Sequence, residues 1–169
     1  MIQLETIFAV EQDPNVVFTV LMPALCEALQ CDRCFLYLRN PKTNRGTITH
    51  CYSRCSEFAD LTGSTFIEAE TATDPLMVMA FRTPEAVFIE DIETANIEVV
   101  DVTYEREVFG HRALIHAPIY YNNQLYGILE PCVFGYPREW TDDDRSIINF
   151  VQPRAAIVAS NYLQQYAIN

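Results

Sequence analysis

Positive charge is scarce in this sequence: 11 Lys and Arg residues stand against 23 Asp and Glu residues, a net charge of −12. A chain this acidic repels phosphate backbones and anionic lipid headgroups, so neither nucleic acid nor a membrane is predicted as a partner. No apolar run approaches the length of a membrane span. The N-terminus carries Glu5 where a secretion signal would have a basic start and an apolar core. With six cysteines and no such signal, the sequence predicts a cytoplasmic protein with reduced thiols.

Glycine is also rare, with only 5 residues, and no Gly/Ser linker, internal repeat or low-complexity segment divides the chain. The 169 residues are half hydrophobic, which is enough to build one sizeable core. We therefore predict a single domain over residues 1–169.

Helix and strand patterns alternate along the chain. Asp13 offers a capping oxygen and Pro14 follows it at a position where a missing N–H is harmless, so a helix is predicted to begin there. Thr141 begins the last helix, in which a break is expected near Pro153. The predicted helices cover 1–10, 14–29, 75–81, 95–109 and 142–166. The predicted strands cover 33–39, 47–53, 112–121 and 124–134, and residues 83–92 are predicted as a turn that leads into a further strand. This order predicts an α+β fold, an antiparallel sheet with the terminal helices on one face.

Four segments carry motifs in a characteristic order: CDRCFLYL (31–38), TPEAVFIEDI (83–92), RALIHAPIYYNNQLYGILEPCVF (112–134) and WTDDDRSIINFVQPRAAIVASNYL (140–163). Asp91 lies at the end of the strand in the second segment, Pro118 and Gly127 mark the paired strands of the third, and Asn161 lies near the end of the fourth. These features resemble the GAF domain family. The resemblance implies a ligand-type pocket on the sheet face away from the helices. It also implies a sensory or regulatory role, because members bind small molecules, tetrapyrroles or each other, and few are enzymes.

Two cysteine pairs, Cys31/Cys34 and Cys51/Cys55, have spacings that raise the question of a metal site. If a strand begins by Arg33, the thiols of the first pair point to opposite faces about 10 Å apart, too far to share one zinc ion. The second pair would lie about 13 Å apart on a continuing strand. We therefore interpret the cysteines as small buried hydrophobic residues and predict no metal ligand. A cysteine-based metal or redox sensor is the alternative, with Cys34 and Cys51 as the pair nearest across the 40–46 turn.

The resemblance extends to the GAF domains of phytochromes and cyanobacteriochromes, which attach a linear tetrapyrrole to cysteine. One anchor of those proteins would fall on Asp101, and the other on Leu76 in the segment DPLM (74–77), so neither thiol is present. Covalent attachment in that manner is therefore not expected, while non-covalent tetrapyrrole binding stays open. The free methionine-(R)-sulfoxide reductases, also GAF proteins, need a nucleophilic cysteine that residues 91–108 lack. The chain is therefore predicted not to be an enzyme.

A two-residue turn at 122–123 would place Ala117 opposite Ile128 in the last hairpin. That register puts Glu130 on one face and His116 on the other, and the resemblance implies that the Glu130 face is the ligand side. Glu130 is an acid in an apolar strand, so burial requires a partner, a raised pKa or water; it is either a structural hydrogen-bonding group or a ligand contact. The candidate binding residues are Glu130, Cys132, Tyr126, His111, Arg112 and Tyr104, of which the tyrosines could equally be ordinary core aromatics.

The terminal helices carry more apolar residues than one sheet face is expected to cover. A stripe in the last helix and a cluster in the first segment predict a homodimer through these helices, with burial inside a monomer as the alternative. The residues are Ile2, Leu4, Ile7, Phe8, Ile147, Ile148, Val151, Ala155, Ala156, Val158, Tyr162 and Leu163. The prediction as a whole is a non-catalytic sensory or regulatory module that acts on another protein chain, with or without a non-covalent small ligand. The alternatives are a small-molecule or tetrapyrrole receptor and the cysteine-based sensor.

Overall fold

The computed structural model describes residues 2–67, 72–166 and 168. Its helices are α1 (Ile2–Val10), α2 (Pro14–Ala28), α3 (Pro75–Ala80), α4 (Val102–Tyr104), which a π-helical turn (Glu105–Phe109) continues, and α5 (Asp142–Gln165). Its strands are β1 (Arg33–Asn40), β2 (Arg45–Ser53), β3 (Thr65–Ile67), β4 (Val87–Ile89), β5 (Ala113–Tyr121) and β6 (Gln124–Val133). No helix in these ranges is long and apolar enough to cross a bilayer.

The strands form one antiparallel sheet in the order β3-β2-β1-β6-β5-β4. The predicted α+β class and antiparallel sheet are therefore confirmed. The short edge strand β3 was not predicted, because three residues give too little alternation to read in a sequence.

Local capping explains where the helices begin. The Asp13 carboxylate accepts the backbone N–H of Asn15 at 2.8 Å, and Thr141 forms a reciprocal capping box with Asp144. The prediction of a break near Pro153 is wrong, because α5 is one continuous helix of 24 residues that includes this proline. A proline removes one backbone hydrogen bond, and the packing of α5 along the sheet is sufficient to hold the helix together across that gap.

The helices α1, α2 and α5 all pack on one face of the sheet, as predicted. Their apolar side chains form the main core with residues of β1, β5 and β6. Leu4, which the sequence suggested as surplus apolar surface, is only 1% exposed within its own chain. Ile7 and Phe8 also pack against this core, so much of the apolar surface counted toward a dimer is already buried in the monomer.

The last hairpin contains an irregularity that reverses part of the predicted face assignment. Tyr120 pairs with Leu125, but Ile119 pairs with Gly127, so Tyr126 is an extra residue in β6. Beyond this extra residue, from Ile119 back to Ala113, the residues of β5 pair with β6 residues one position later than predicted. Ala117, for example, lies opposite Leu129 rather than Ile128. A bulge of this kind changes which side chains share a face.

Candidate functional site

A pocket lies on the sheet face opposite the terminal helices, beneath a roof formed by α3 and the segment 102–109. The pocket and its mouth enclose about 410 Å³, of which a water-sized sphere can occupy only about 40 Å³. The lining residues are Phe35, Tyr37, Ile48, Phe66, Asp74, Met77, Tyr104, Glu105, Phe109, His116, Ile128 and Glu130.

The bulge in β6 brings an imidazole and a carboxylate together in the pocket wall. His116 Nδ1 and Glu130 Oε2 are 2.8 Å apart, and both residues are only 4% exposed. The prediction that His116 faces the helices is therefore wrong, because it assumed a regular two-strand register. Burial raises the pKa of the Glu130 carboxyl to about 7 and lowers the pKa of His116 to about 4. Both shifts favour uncharged groups, a protonated acid beside a neutral imidazole.

A second buried pair lies beside the first. His111 Nε2 is 2.6 Å from Glu105 Oε2, and the His111 ring stacks on Phe109 at 5.5 Å. Gly110, at φ 73°, ends the π-helical turn in the left-handed region, where glycine carries no Cβ penalty. This turn reverses the chain, so that Glu105 before it and His111 after it meet. Across the two pairs, His111 Nδ1 lies 3.9 Å from Glu130 Oε1.

Other charged groups complete the electrostatic environment of the pocket. Asp74 caps α3 by accepting the N–H of Leu76 at 3.2 Å, and burial together with the charge of Glu105 raises the pKa of the Asp74 carboxyl. Arg33 is 1% exposed; its guanidinium donates to Phe109 O at 2.9 Å and lies near enough to Glu130 to favour the ionised carboxylate. Three carboxylates and one guanidinium thus surround two imidazoles.

The six candidate binding residues separate in the structure. Glu130 and Tyr104 line the pocket, and His111 lies directly behind its wall through the Glu105 contact. Tyr126 was placed on the ligand face by the regular register, which is wrong. As the bulge residue, it packs against the helix-side core and forms an edge contact with Tyr121 at 5.7 Å.

The other two candidates lie away from the pocket lining. Cys132 shares the pocket face, yet it is covered by Leu76 and Leu114 in a separate cluster, and burial raises its pKa to about 12. Arg112 forms a two-contact ion pair with Asp91, with Nη2 2.9 Å from Oδ2. Its charge is already matched there, so Arg112 does not reach an anion in the pocket.

The cysteines lie on both sides of the sheet. β1 begins at Arg33, as expected, and Cys34 Sγ contacts Met22 Sδ at 3.8 Å. Cys51 lies opposite Phe35 and packs on the pocket side, whereas Cys34 belongs to the helix-side core. The predicted neighbour pair Cys34/Cys51 is therefore wrong, because adjacent ladder positions point to opposite faces.

A different cysteine pair is close. Cys26, at the end of α2, and Cys31, just before β1, have their Sγ atoms 3.4 Å apart. The Cys31 thiol contact lowers the pKa of Cys26, whereas the same contact and burial raise the pKa of Cys31 well above its usual value.

The family model for the GAF domain matches residues 13–158. The chain belongs to the GAF domain family. GAF domains are generally sensory or regulatory modules without catalytic activity. No curated protein sequence matches the chain significantly.

Solved GAF domains with the same fold come from photoreceptors and from phosphotransferases. The phycocyanobilin-bound GAF domain of a cyanobacterial phytochrome is 17% identical, with a TM-score of 0.77 over 98% of this chain and 96% of that one. The GAF domain of a phosphoenolpyruvate-protein phosphotransferase from Coxiella burnetii is 14% identical, with a TM-score of 0.76 over 98% and 94%. The PixJ GAF domain of Thermosynechococcus elongatus is 19% identical, with a TM-score of 0.70 over 93% and 94%. At these identities the similarity establishes the fold.

Sequence reasoning missed two polar residues that line this GAF pocket, Glu105 and Asp74, and one buried beside it, Arg33. Glu105 and Asp74 are acids in short loop-flanked segments, where no periodic pattern reveals burial. Arg33, the first residue of β1, was used only to mark the strand boundary. A basic residue at the start of a strand that is otherwise apolar was the available signal, because a buried guanidinium requires acceptors.

Proposed function

We propose that this GAF domain is a non-catalytic regulatory module whose buried pocket binds a small ligand non-covalently and whose surface acts on another protein chain. The observation that carries the proposal is the His116–Glu130 pair in the pocket wall. Within the described ranges, His116 Nε2 and Glu130 Oε1 have no hydrogen-bond partner although both are buried. Buried polar atoms are normally satisfied, so these two support a ligand contact.

The size and chemistry of the pocket favour a ligand of a few atoms. The free space of about 40 Å³ is far below the roughly 300–1,000 Å³ of pockets that bury drug-sized molecules. The lining contains no Ser, Thr, Cys or Lys among the residues that the structure describes. That lining therefore offers no hydroxyl of Ser or Thr, no thiol and no amine as a nucleophile.

Native mass spectrometry of the protein purified from its own host tests the proposal. We expect a non-covalent adduct on the wild type that is lost in His116→Gln, which removes the imidazole from the pocket wall. Tyr126→Phe is the matched control, because it changes a side chain of the same hairpin that packs on the helix side; it should keep the adduct. A wild type without bound species, or His116→Gln with undiminished adduct, would contradict the proposal.

A tetrapyrrole receptor is the second candidate, and the likeness to the phycocyanobilin-bound GAF domain is the observation that favours it. A bilin would require α3 and the 102–109 segment to move outward, because the free space is small. Visible absorption of the protein from its host, with the pigment released by denaturation, would establish this candidate. A colourless protein would remove it.

We also propose that the partner chain is a second copy, docked through the terminal helices. Val16 and Val20 lie one turn apart on α2 and are 38% and 40% exposed, and Ile2, Val10 and Ile157 add exposed apolar surface on α1 and α5. Light scattering should give twice 19.4 kDa at micromolar concentration. Val16→Glu with Val20→Glu should halve that mass, whereas Ile97→Glu, 80% exposed in the 90–101 loop, should not. A constant mass of 19.4 kDa would overturn the dimer.

A further inference from the structure

Three polar side chains from separate elements converge behind the pocket. Glu105 comes from the π-helical turn, His111 from the loop before β5, and Glu130 from β6. One donor atom from each lies within 4.8 Å of the others, and all three residues are buried. Glu130 and His111 were each predicted as candidate binding residues, but nothing in the sequence pattern predicted their approach to Glu105, which depends on the turn at Gly110 and on the bulge in β6.

Two atoms of the group face each other without hydrogen-bond partners. Over residues 2–67, 72–166 and 168, His111 Nδ1 and Glu130 Oε1 are both unpaired, and they are 3.9 Å apart. Two donors that bind one ion at about 2.1 Å each lie at most about 4.2 Å apart. The observed separation therefore admits a cation with side-chain shifts of a few tenths of an ångström.

The far ends of both side chains are fixed by other groups. When His111 Nε2–H donates to Glu105 at 2.6 Å, its Nδ1 carries the lone pair, as a metal ligand requires. When His116 Nδ1–H donates to Glu130 Oε2 at 2.8 Å, Oε1 of that carboxylate remains available. A carboxylate behind a ligating histidine and a hydrogen bond behind a ligating carboxylate are the outer contacts that orient metal ligands.

The charge balance also favours a cation. The carboxylates of Asp74, Glu105 and Glu130 are opposed by one guanidinium, that of Arg33. Three carboxyl groups therefore face one guanidinium, and any negative charge that they carry in excess of it must be balanced. Burying such charge is costly unless a counter-charge or protons accompany it, and a divalent ion supplies that counter-charge.

We propose that Glu130 and His111 bind a divalent transition-metal cation, with Glu105 as the group that orients His111 from the other side of its ring. Imidazole nitrogen with carboxylate oxygen suits Zn²⁺, Mn²⁺ or Fe²⁺ rather than Ca²⁺ or Mg²⁺, which prefer oxygen alone. The proposal rests on the proposed function, since it names the ligand class of the same pocket. The site uses no thiol.

Calorimetric titration of EDTA-treated protein with ZnCl₂ tests the site, together with the absorption spectrum after CoCl₂ addition. We expect one Zn²⁺ per chain and a Co²⁺ spectrum without a thiolate charge-transfer band. Glu130→Gln and His111→Gln should each abolish stoichiometric binding. Glu105→Gln should weaken it roughly 10–100-fold, the usual effect of losing a group that orients a ligand. Cys26→Ser and Cys31→Ser are matched controls that should bind normally, and circular dichroism checks that every variant is folded.

The outcomes separate this inference from the proposed function. Wild-type Zn²⁺ binding weaker than about 0.1 mM, or binding that survives both Glu130→Gln and His111→Gln, overturns the metal site. If either of these variants fails to fold, the Glu105→Gln titration decides: unchanged affinity overturns the site and a weakened one supports it. A metal-free protein that still retains another small molecule lost in His116→Gln would leave the proposed function standing and refute only the cation.

Discussion

Gly127→Ala tests whether close approach of two central strands sets the geometry of the pocket. A Cβ at residue 127 would lie 2.2 Å from the carbonyl oxygen of Tyr37 and 3.2 Å from Leu38 Cα. The first distance is about 1 Å shorter than an ordinary C···O contact of about 3.3 Å. The obstructing atom belongs to the backbone of the neighbouring strand β1, so no side-chain rotation relieves the overlap. The two strands must move apart or the bulge must rearrange.

We expect Gly127→Ala to cost about 3 kcal/mol of unfolding free energy, the upper part of the range for an overpacked site. For a chain of this size that corresponds to a fall of about 6–12 °C in Tm. Gly135→Ala is the matched control: its φ is +77° and no atom lies within 4 Å of the added Cβ, so only backbone strain of about 1–2 kcal/mol applies. Denaturant titrations would refute the reasoning if Gly127→Ala lost less than Gly135→Ala.

Three further predictions concern the cysteines and pH. Incubation with a bilin should leave no fluorescent band on a zinc-stained denaturing gel, because Asp101 and Leu76 occupy the two anchor positions and Cys132 is fully buried with a pKa of about 12. Such a band would show attachment at another thiol. Diamide, which takes up two electrons and two protons, should join Cys26 to Cys31 by closing their sulfurs from 3.4 Å to about 2.05 Å; peptide mapping that finds neither residue in a disulfide would contradict this. Burial lowers the pKa of His50, so the unfolded chain binds its proton more tightly and stability should fall as pH drops below about 6.5. His50→Gln keeps a group able to bond to Asn15 and should lose less stability between about pH 7.5 and pH 5 than the wild type; an equal loss would show that His50 does not contribute.

The fold followed from the sequence wherever a local signal existed. Asp13 and Thr141 marked helix starts by capping chemistry that involves only near neighbours in the chain, and the turn at Asn122 and Asn123 has the positive φ angles expected of such a pair. Alternation located the long strands. The continuity of α5 through Pro153 was not predictable in this way, because it depends on packing against the sheet.

The site was harder to predict because two of its determinants are non-local. The bulge residue Tyr126 reverses the facing of the residues beyond it, and nothing in the hairpin sequence states where a bulge falls. Glu130 was recognised from its chemistry alone, as an acid in an apolar strand. Its partner His116 was assigned to the opposite face by a register that was wrong by one residue.

The strand β6 has a consequence for how a signal could leave this domain. Glu130 faces the pocket, while its neighbour Leu129 packs in the helix-side core with Ile148 and Val151 of α5. One peptide unit therefore separates a residue of the pocket lining from the surface on which the terminal helices rest. Close-packed interiors transmit strain, so a ligand that draws Glu130 inward also displaces the support of α5. Under the proposed function, the outer faces of α2 and α5 would then be the surfaces through which a partner chain detects a ligand in the pocket.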